Sequence, residues 1–378
     1  MRRPDLAIFV ATSGHSGVDT VVRNLLPVFA EWGLSTDVLK IAHHGPYLEQ
    51  MPPGCRLVEL PSRHVETTLP SLVRYLRRQR PRALLTDKDA VNRLAIVARA
   101  LARVRTRHVV RLGTTVSVNL AQKRPWQAAL QRASIRWLYR YADARVVPSR
   151  GAADDLAGVM RAEACAVDVL PNPVLHAGLY ELARETVSPE GVSDADDSPV
   201  VVAAGSLTER KDYVTLLRGF ARLRAQRQCR LVIIGQGRCR GALEQQAEAL
   251  GVRGDVVFTG YLSNPYPYIA RADVFAHTSR WEGLGVVLIE ALALGTPVVA
   301  TDCPSGPAEI LGHDGRFGAL IPVGDDAALA NALDRVLSVE WDADALSAGV
   351  AHFDSRVSAQ AYAQLLGLRG QAATPVEP

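Results

Sequence analysis

"ADVFAHTSRWEGLGVVLIEALALGTPVVATD", residues 272–302, reads as a strand, a glycine loop, a helix and a second strand without a break. "VFA" runs into the polar "HTS", "RWEGLG" makes the turn, "VVLIEALALG" stops at Gly295, and "PVVATD" is again apolar and β-branched. Strands alternating with helices imply a mainly parallel sheet covered on both faces. The same alternation precedes this stretch in "VVVAAGSL" (200–207), "RLVIIGQG" (230–237) and "VVFTG" (256–260).

The first half repeats the plan. "LAIFVA" (6–11) is a buried strand, "TSGHSG" (12–17) a loop, and "VDTVVRNLLPVFAEWG" (18–33) a helix with apolar residues at three- and four-residue intervals that ends at Gly33. Short strands follow at "STDVLKI", "RLVEL", "RALLT", "RHVVRL" and "ARVVP", with helical stretches at 69–79 and 89–104. Between the halves, "ARETVSPEGVSDADDSP" (183–199) is acidic, poor in apolar groups and rich in turn formers, which marks a linker or exposed loop. The expected division is a first domain at 1–175, a linker at 176–199, a second domain at 200–355, and a C-terminal helix with a frayed tail at 356–378 that can pack back on the first domain. A chain of 378 residues is long enough for two such domains. Two parallel sheets joined in this way create a cleft at their strand ends, where open α/β sheets bind ligands.

Composition narrows the classes. With 48% hydrophobic and 22% charged residues the chain is globular, and no apolar run approaches the roughly 20 residues that cross a bilayer. The basic start "MRRPDLAIFVATSG" has too short an apolar part and no cleavage site for a signal peptide, so a cytoplasmic protein is expected. Five scattered cysteines with no C-x-x-C pair fit reduced thiols rather than a zinc or redox centre. Net charge is +4, yet residues 61–150 hold 20 Lys and Arg against 4 Asp and Glu, an excess of 16 that leaves the rest of the chain near −12. Such a surface attracts nucleic acid, anionic lipid or phosphorylated small molecules.

The chemistry gathers at strand ends of the second half. Glu282 precedes the helix of the opening stretch, and Glu290 lies eight positions on within an apolar run, where a carboxylate needs donors such as sugar or ribose hydroxyls. The N–H groups of Gly283, Leu284, Gly285 and Val286 open the helix and suit a phosphate. A helix cap and a core salt bridge would account for the two glutamates equally well. Arg210 and Lys211 follow a strand and precede a helix, a place for cations to clamp a diphosphate, although such dipeptides are usually solvated. The glycines at 235, 237 and 241 only approximate a dinucleotide fingerprint, on the second strand rather than the first, which excludes NAD.

Taken together, "GSLTERKDYVTLL", "LVIIGQG", "VVFTGY", the block from "ADVFAHTS" to "DCPSGPAEIL" and "ALIPVGD" resemble the second domain of the retaining family 4 glycosyltransferases of GT-B fold, over about residues 200–325. "SGVDTVVRNL" and "VLPNPV" resemble the first-domain loop and the hinge entry of that family more loosely. The resemblance implies two Rossmann-like parallel-sheet domains, with Glu282 near the donor sugar, Glu290 on the ribose and Lys211 on the diphosphate. It makes Glu282, Lys211 and Arg210 the catalytic group, with Ser16, Gly17, Ser206 and the residues from Gly283 to Val286 completing the donor site. It also implies a nucleotide-diphosphate sugar donor, UDP first, retention at the anomeric carbon, and no metal or other cofactor.

Three positions depart from the family pattern. Ser206 replaces an arginine, whose part Arg210 can take; Ser16-Gly17 replaces a glycine pair; and Gly113 stands where many members have a histidine, with His15 or Arg111 as substitutes. The expected acceptor is a glycan or lipid-linked sugar. Residues 122–145, with Lys123, Arg124, Arg132, Arg136, Arg140, Trp126, Trp137 and Tyr139, suit peripheral contact with an anionic membrane, although an ordinary solvated helix with Trp137 in the core would fit too. The competing readings are a nucleotide-sugar epimerase or phosphorylase, a degenerate scaffold, and a nucleic-acid binder. No nucleic-acid module is recognisable, so no nucleic-acid partner is expected.

Overall fold

The computed structural model describes residues 3–12, 17–46, 48, 50–185 and 198–368. The chain divides into two compact units, Met1–Val174 with Phe353–Pro378, and Leu175–His352.

Among the described residues, the first unit is built on a seven-stranded sheet. Its strands are β1 (Leu6–Phe9), β2 (Thr36–Ile41), β3 (Cys55–Leu60), β4 (Ala83–Asp87), β5 (Arg107–Arg111), β6 (Ala144–Val147) and β7 (Asp168–Val169). They lie in the order β3-β2-β1-β4-β5-β6-β7, every neighbouring pair parallel. Along β1 and just beyond it, Leu6, Ile8 and Val10 enter one core while Ala7, Phe9 and Ala11 enter the other. That two-sided burial is why the strand reads as an unbroken apolar run. The helix Ser355–Leu365 belongs to this unit, its Ala359, Tyr362 and Ala363 packed with Val22 and Phe29 of the helix Gly17–Glu31.

A buried ion pair ties that C-terminal helix to the sheet. Arg111, at the end of β5, pairs with Asp87 at the end of β4, donates from Nε to the Tyr362 hydroxyl at 2.9 Å and from Nη2 to Asn172 Oδ1 at 2.5 Å. Arg111 therefore does not serve as the substitute for the histidine missing at Gly113. Its guanidinium is fully committed inside the unit, and a Cβ at position 113 would lie 3.2 Å from Nη1.

The second unit carries β8 (Val200–Ala204), β9 (Arg230–Ile234), β10 (Val256–Gly260), β11 (Val274–His277), β12 (Val298–Thr301) and β13 (Gly318–Ile321), in the order β10-β9-β8-β11-β12-β13. All pairs are parallel. The chain lays strands outward from β8 to β10 and then returns to start at β11, so the loops leaving β8 and β11 diverge to opposite faces. That switch point is where an open parallel sheet leaves a crevice at its carboxyl edge.

Two expectations need correction. The segment 176–199 does not begin as a linker: Ala177–Ala183 is a helix with Leu179 fully buried, and it packs on the helix Tyr266–Ala270. The part from 186 to 197 lies outside the described residues. Strands β7 and β13 are absent from the sequence reading; β7, at two residues, is too short to carry a periodic signal.

Removing one partner of a buried pair strands the other charge, a loss of about 3–5 kcal/mol. Asp87→Ala is expected to destabilise by that amount, and Tyr362→Phe, which deletes one hydrogen bond to the same guanidinium, by about 1–2 kcal/mol. Chemical denaturation checks both; an Asp87→Ala chain as stable as the wild type would mean the pair does not anchor the sheet.

Candidate active site

The loop leaving β8 holds Gly205, Ser206 and a short turn, Glu209–Lys211, that ends in Asp212 with φ of 47°. Its path is fixed by close backbone approach to the next loop. A Cβ on Gly235, itself at φ of 142°, would sit 2.0 Å from the Gly205 carbonyl oxygen. The glycines at 235 and 237 thus serve backbone packing, which explains why their spacing only approximates a nucleotide fingerprint.

The loop leaving β11 is stitched to this turn. Thr278 Oγ1 donates to the carbonyls of Lys211 and Asp212 at 3.0 and 3.1 Å, and the Arg280 N–H donates to the Arg210 carbonyl at 2.8 Å. Further on, Leu284 rests against Gly306, where a Cβ would come within 2.1 Å of the Leu284 carbonyl oxygen. Gly285, at φ of 88°, then caps the start of the helix Val286–Ala293.

These ties bring Glu282 onto the cations. Lys211 Nζ donates to Glu282 Oε1 at 2.7 Å, Arg210 Nη1 to Oε2 at 2.9 Å, and Ser279 Oγ to Oε1 at 2.8 Å. His277 Nε2 lies 3.4 Å from Oε1, beyond a well-formed hydrogen bond. Burial pushes the Glu282 carboxyl upward, but Lys211, His277 and Arg210 outweigh it and hold the group well below the usual range. His277 is itself driven down by burial and by Lys211. The N-cap, Gly285, offers no side-chain cap, and its carbonyl accepts from the Leu288 N–H at 2.9 Å.

Glu290 has the opposite environment. It lies on the helix Val286–Ala293 among buried Leu288, Ile289, Ala291 and Leu292, with the Tyr266 hydroxyl 3.3 Å from Oε1. Burial raises its carboxyl to about 7, against the smaller lowering effects of Tyr266 and Lys211. The charge of Lys211 lowers both glutamates, most strongly Glu282, with which it is paired.

Of the residues singled out from sequence, Arg210, Lys211, Glu282, the turn 283–286 and Glu290 are brought together at the β8/β11 switch point. Ser206 is an exposed neighbour in the same loop, with no cation of its own. Gly17 opens a helix of the first unit, while Ser16 and His15 lie outside the described residues. Sequence reasoning missed His277, Ser279 and Tyr266. The first two stand in the opening stretch beside Glu282, but Tyr266 comes from "NPYPY", whose only signal is a turn. The acidic pair of "DKD" (87–89), spaced as a cation-binding D-x-D would be, is spent internally: Asp87 holds Arg111, and Asp89 holds Arg93 and the Tyr139 hydroxyl. Among the described residues no three His, Cys, Asp or Glu side chains gather as a metal site.

Residues 184–349 match the family described as glycosyl transferases group 1, and residues 16–173 the glycosyl transferase 4-like domain. The chain is a group 1 glycosyltransferase. It is 28% identical over 348 residues to the N-acetylgalactosamine-N,N'-diacetylbacillosaminyl-diphospho-undecaprenol 4-alpha-N-acetylgalactosaminyltransferase of Campylobacter jejuni subsp. jejuni serotype O:2, covering 88% of this chain and 90% of that one. The lipopolysaccharide core biosynthesis glycosyltransferase LpsE of Rhizobium meliloti is 37% identical over 142 residues, which are 38% of this chain and 40% of that relative. Among solved structures, Anabaena HepE in complex with UDP superposes with a TM-score of 0.78 at 19% identity, over 97% of this chain and 100% of that one. The glycosyltransferase thus has the GT-B fold, and its Arg210–Lys211–Glu282–Glu290 group lies in the unit that carries the group 1 match.

The pH behaviour of Glu290 follows from its surroundings. The folded transferase retains a proton that the unfolded chain releases between the ordinary 4.5 and about 7, so this group's contribution to stability falls as pH rises across that window. Glu290→Gln removes the contribution. The variant is expected to gain stability relative to the wild type as pH rises from about 5 to about 7, read as melting midpoints of both proteins at each pH; a difference that does not change with pH would contradict the assignment.

Proposed function

We propose that this glycosyltransferase moves a hexose or N-acetylhexosamine from a nucleotide-diphosphate sugar, with UDP the first candidate base, to a glycan or lipid-linked acceptor. The reading is carried by one observation: two cations and two carboxylates of opposite ionisation behaviour converge at the switch point of a Rossmann-like sheet, beside the start of a helix. The diphosphate lies on Lys211, Arg210 and the N–H groups at the start of the helix Val286–Ala293. Glu290 takes the ribose hydroxyls, and Glu282 the hydroxyls of the transferred sugar.

In the free protein Lys211 and Arg210 are both paired with Glu282, whose one negative charge offsets only one of theirs. An arriving diphosphate competes for them and frees Glu282 oxygens for sugar hydroxyls, so donor binding arranges the site in one movement of charge. The negative charge that builds on the leaving phosphate is met by cations already in place, which requires no proton from a protein acid and no metal. The acceptor hydroxyl then passes its proton to the departing phosphate oxygen, on the same face of the sugar, with retention. Arg210 supplies the second cation that Ser206 does not.

Two similar proteins agree with this choice of substrates: the Campylobacter relative is named for a diphospho-undecaprenol substrate, and HepE holds UDP. We place the transferase in the cytoplasm, in peripheral contact with an anionic membrane through residues 122–145. Among the described residues no helix is long and apolar enough to span a bilayer.

A panel of nucleoside diphosphates and nucleotide sugars, scored by thermal shift, tests the donor site. One nucleotide is expected to stabilise the wild type, and Lys211→Ala or Glu290→Ala to weaken its binding about 10- to 100-fold, the loss of one charge-assisted hydrogen bond or two. Equal responses from the variants would sink the assignment. The anomeric configuration of the product by NMR, and turnover in the presence of EDTA, decide retention and the metal question.

A further inference from the structure

The helix Pro125–Leu138 sits on the first unit with only Ile135 buried. Its large apolar side chains face water: Trp126 is 63% exposed, Leu130 66% and Trp137 59%, with Tyr141 beyond the helix at 50%. Positions 126, 130, 133, 137 and 141 recur at intervals of four and three, so these residues and Ala133 share one stripe. Trp137 and Tyr141 meet edge to face at 5.7 Å, and the Arg140 guanidinium lies 5.1 and 5.3 Å from the two rings.

The stripe does not end at this helix. Beside it runs a groove of about 740 Å³, lined by Ile96, Val97 and Val104 as well as Trp137, with Arg103 and Arg105 on its rim. A second groove, of about 550 Å³, lies along the helix Leu69–Gln79, with Arg74, Arg77 and Arg78. Leu101, 50% exposed, lines both grooves and forms the ridge between them. Three helices, Leu69–Gln79, Asp89–Ala102 and Pro125–Leu138, therefore present one face of exposed apolar groups set among arginines. The charge is largely one-sided: residues 121–142 contain five Lys and Arg and no Asp or Glu, residues 67–86 contain five Arg and no acid, and Asp143, the acid lining the first groove, is paired with Arg99.

We propose that this whole face, centred on Leu101, docks on the surface of an anionic lipid bilayer. It extends the membrane contact proposed above from one segment to three helices, and it rests on that reading. The apolar stripe and the Leu101 ridge enter the boundary between headgroups and acyl chains, the two tryptophans and Tyr141 sit at headgroup depth, and the arginines meet lipid phosphates. A second copy of the chain is a poor occupant, since the two faces would oppose like charges. Nucleic acid is a poor one as well, because Leu101 and Leu130 offer a base no stacking surface and Arg140 already lies against the Trp137 and Tyr141 rings.

The test is co-sedimentation of the full chain with vesicles of phosphatidylcholine alone or with added phosphatidylglycerol. The wild type is expected to prefer the anionic vesicles about tenfold or more and to lose the preference in high salt. Leu101→Ser is expected to weaken binding severalfold, Trp126→Ala with Leu130→Ser likewise, and Arg103→Glu with Arg105→Glu to abolish the lipid preference. All of these positions are exposed, so unchanged melting midpoints would attribute any loss to the membrane contact. If Leu101→Ser and the Arg103/Arg105 variant bind as the wild type does while the Trp126/Leu130 variant does not, the segment 122–145 docks alone and the three-helix face is overturned. Absence of anionic preference in the wild type overturns both readings, as would tight duplex DNA binding lost in the same variants.

Discussion

Everything at the site depends on the pull of one carboxylate on two cations across the gap where the strand order reverses. The loops leaving β8 and β11 diverge, and nothing in the sheet holds their tips together. Glu282 supplies the missing attraction. It sits on one loop and binds Lys211 and Arg210 on the other. The backbone ties at Thr278 and Arg280 make that meeting repeatable, and the bare backbones at Gly235 and Gly306, packed on Gly205 and Leu284, fix the path of each loop from its outer side. A pair in such a position is strong enough to order two loops, yet open enough, with Arg210 about a third exposed, for an arriving anion to take a share of it.

The two glutamates illustrate how position within a few residues decides ionisation. Glu282 is nearly as buried as a core residue, yet it is charged because its donors were in place before any ligand. Glu290, one helix further on, has a phenol for company and a titration range that reaches neutrality. Lys211 moderates both. The group is better regarded as a single charge balance than as four independent residues.

Much of this was legible before any coordinates. The alternation of strands and helices, the restart near residue 200 and the position of Glu282, Glu290, Arg210 and Lys211 at strand ends are local properties, written in runs of ten to twenty residues. Strand order is a long-range property, and with it the discovery that the loops after β8 and β11 are the ones that meet. Tyr266 could not be found because its partner lies 24 residues away through a packing contact with no periodicity. Arg111 looked available for chemistry because it stands at a strand end beside Gly113; its partners Asn172 and Tyr362 are 61 and 251 residues distant. Trp137 could have been core or surface, and only the packing of its helix, which turns Ile135 inward, places it in solvent.

That last partner of Arg111 has a consequence for how the protein is made. The first unit is discontinuous: its sheet is encoded before residue 175, but Ala359, Tyr362 and Ala363 of its core come after the whole of the second unit. A ribosome therefore delivers a nearly complete Rossmann-like sheet whose guanidinium lacks one acceptor and whose helix Gly17–Glu31 lacks its cover, and it holds the chain in that condition while some 180 further residues are added. During synthesis the unit written first is the unit finished last, and the apolar surface awaiting the final helix is what a chaperone would meet.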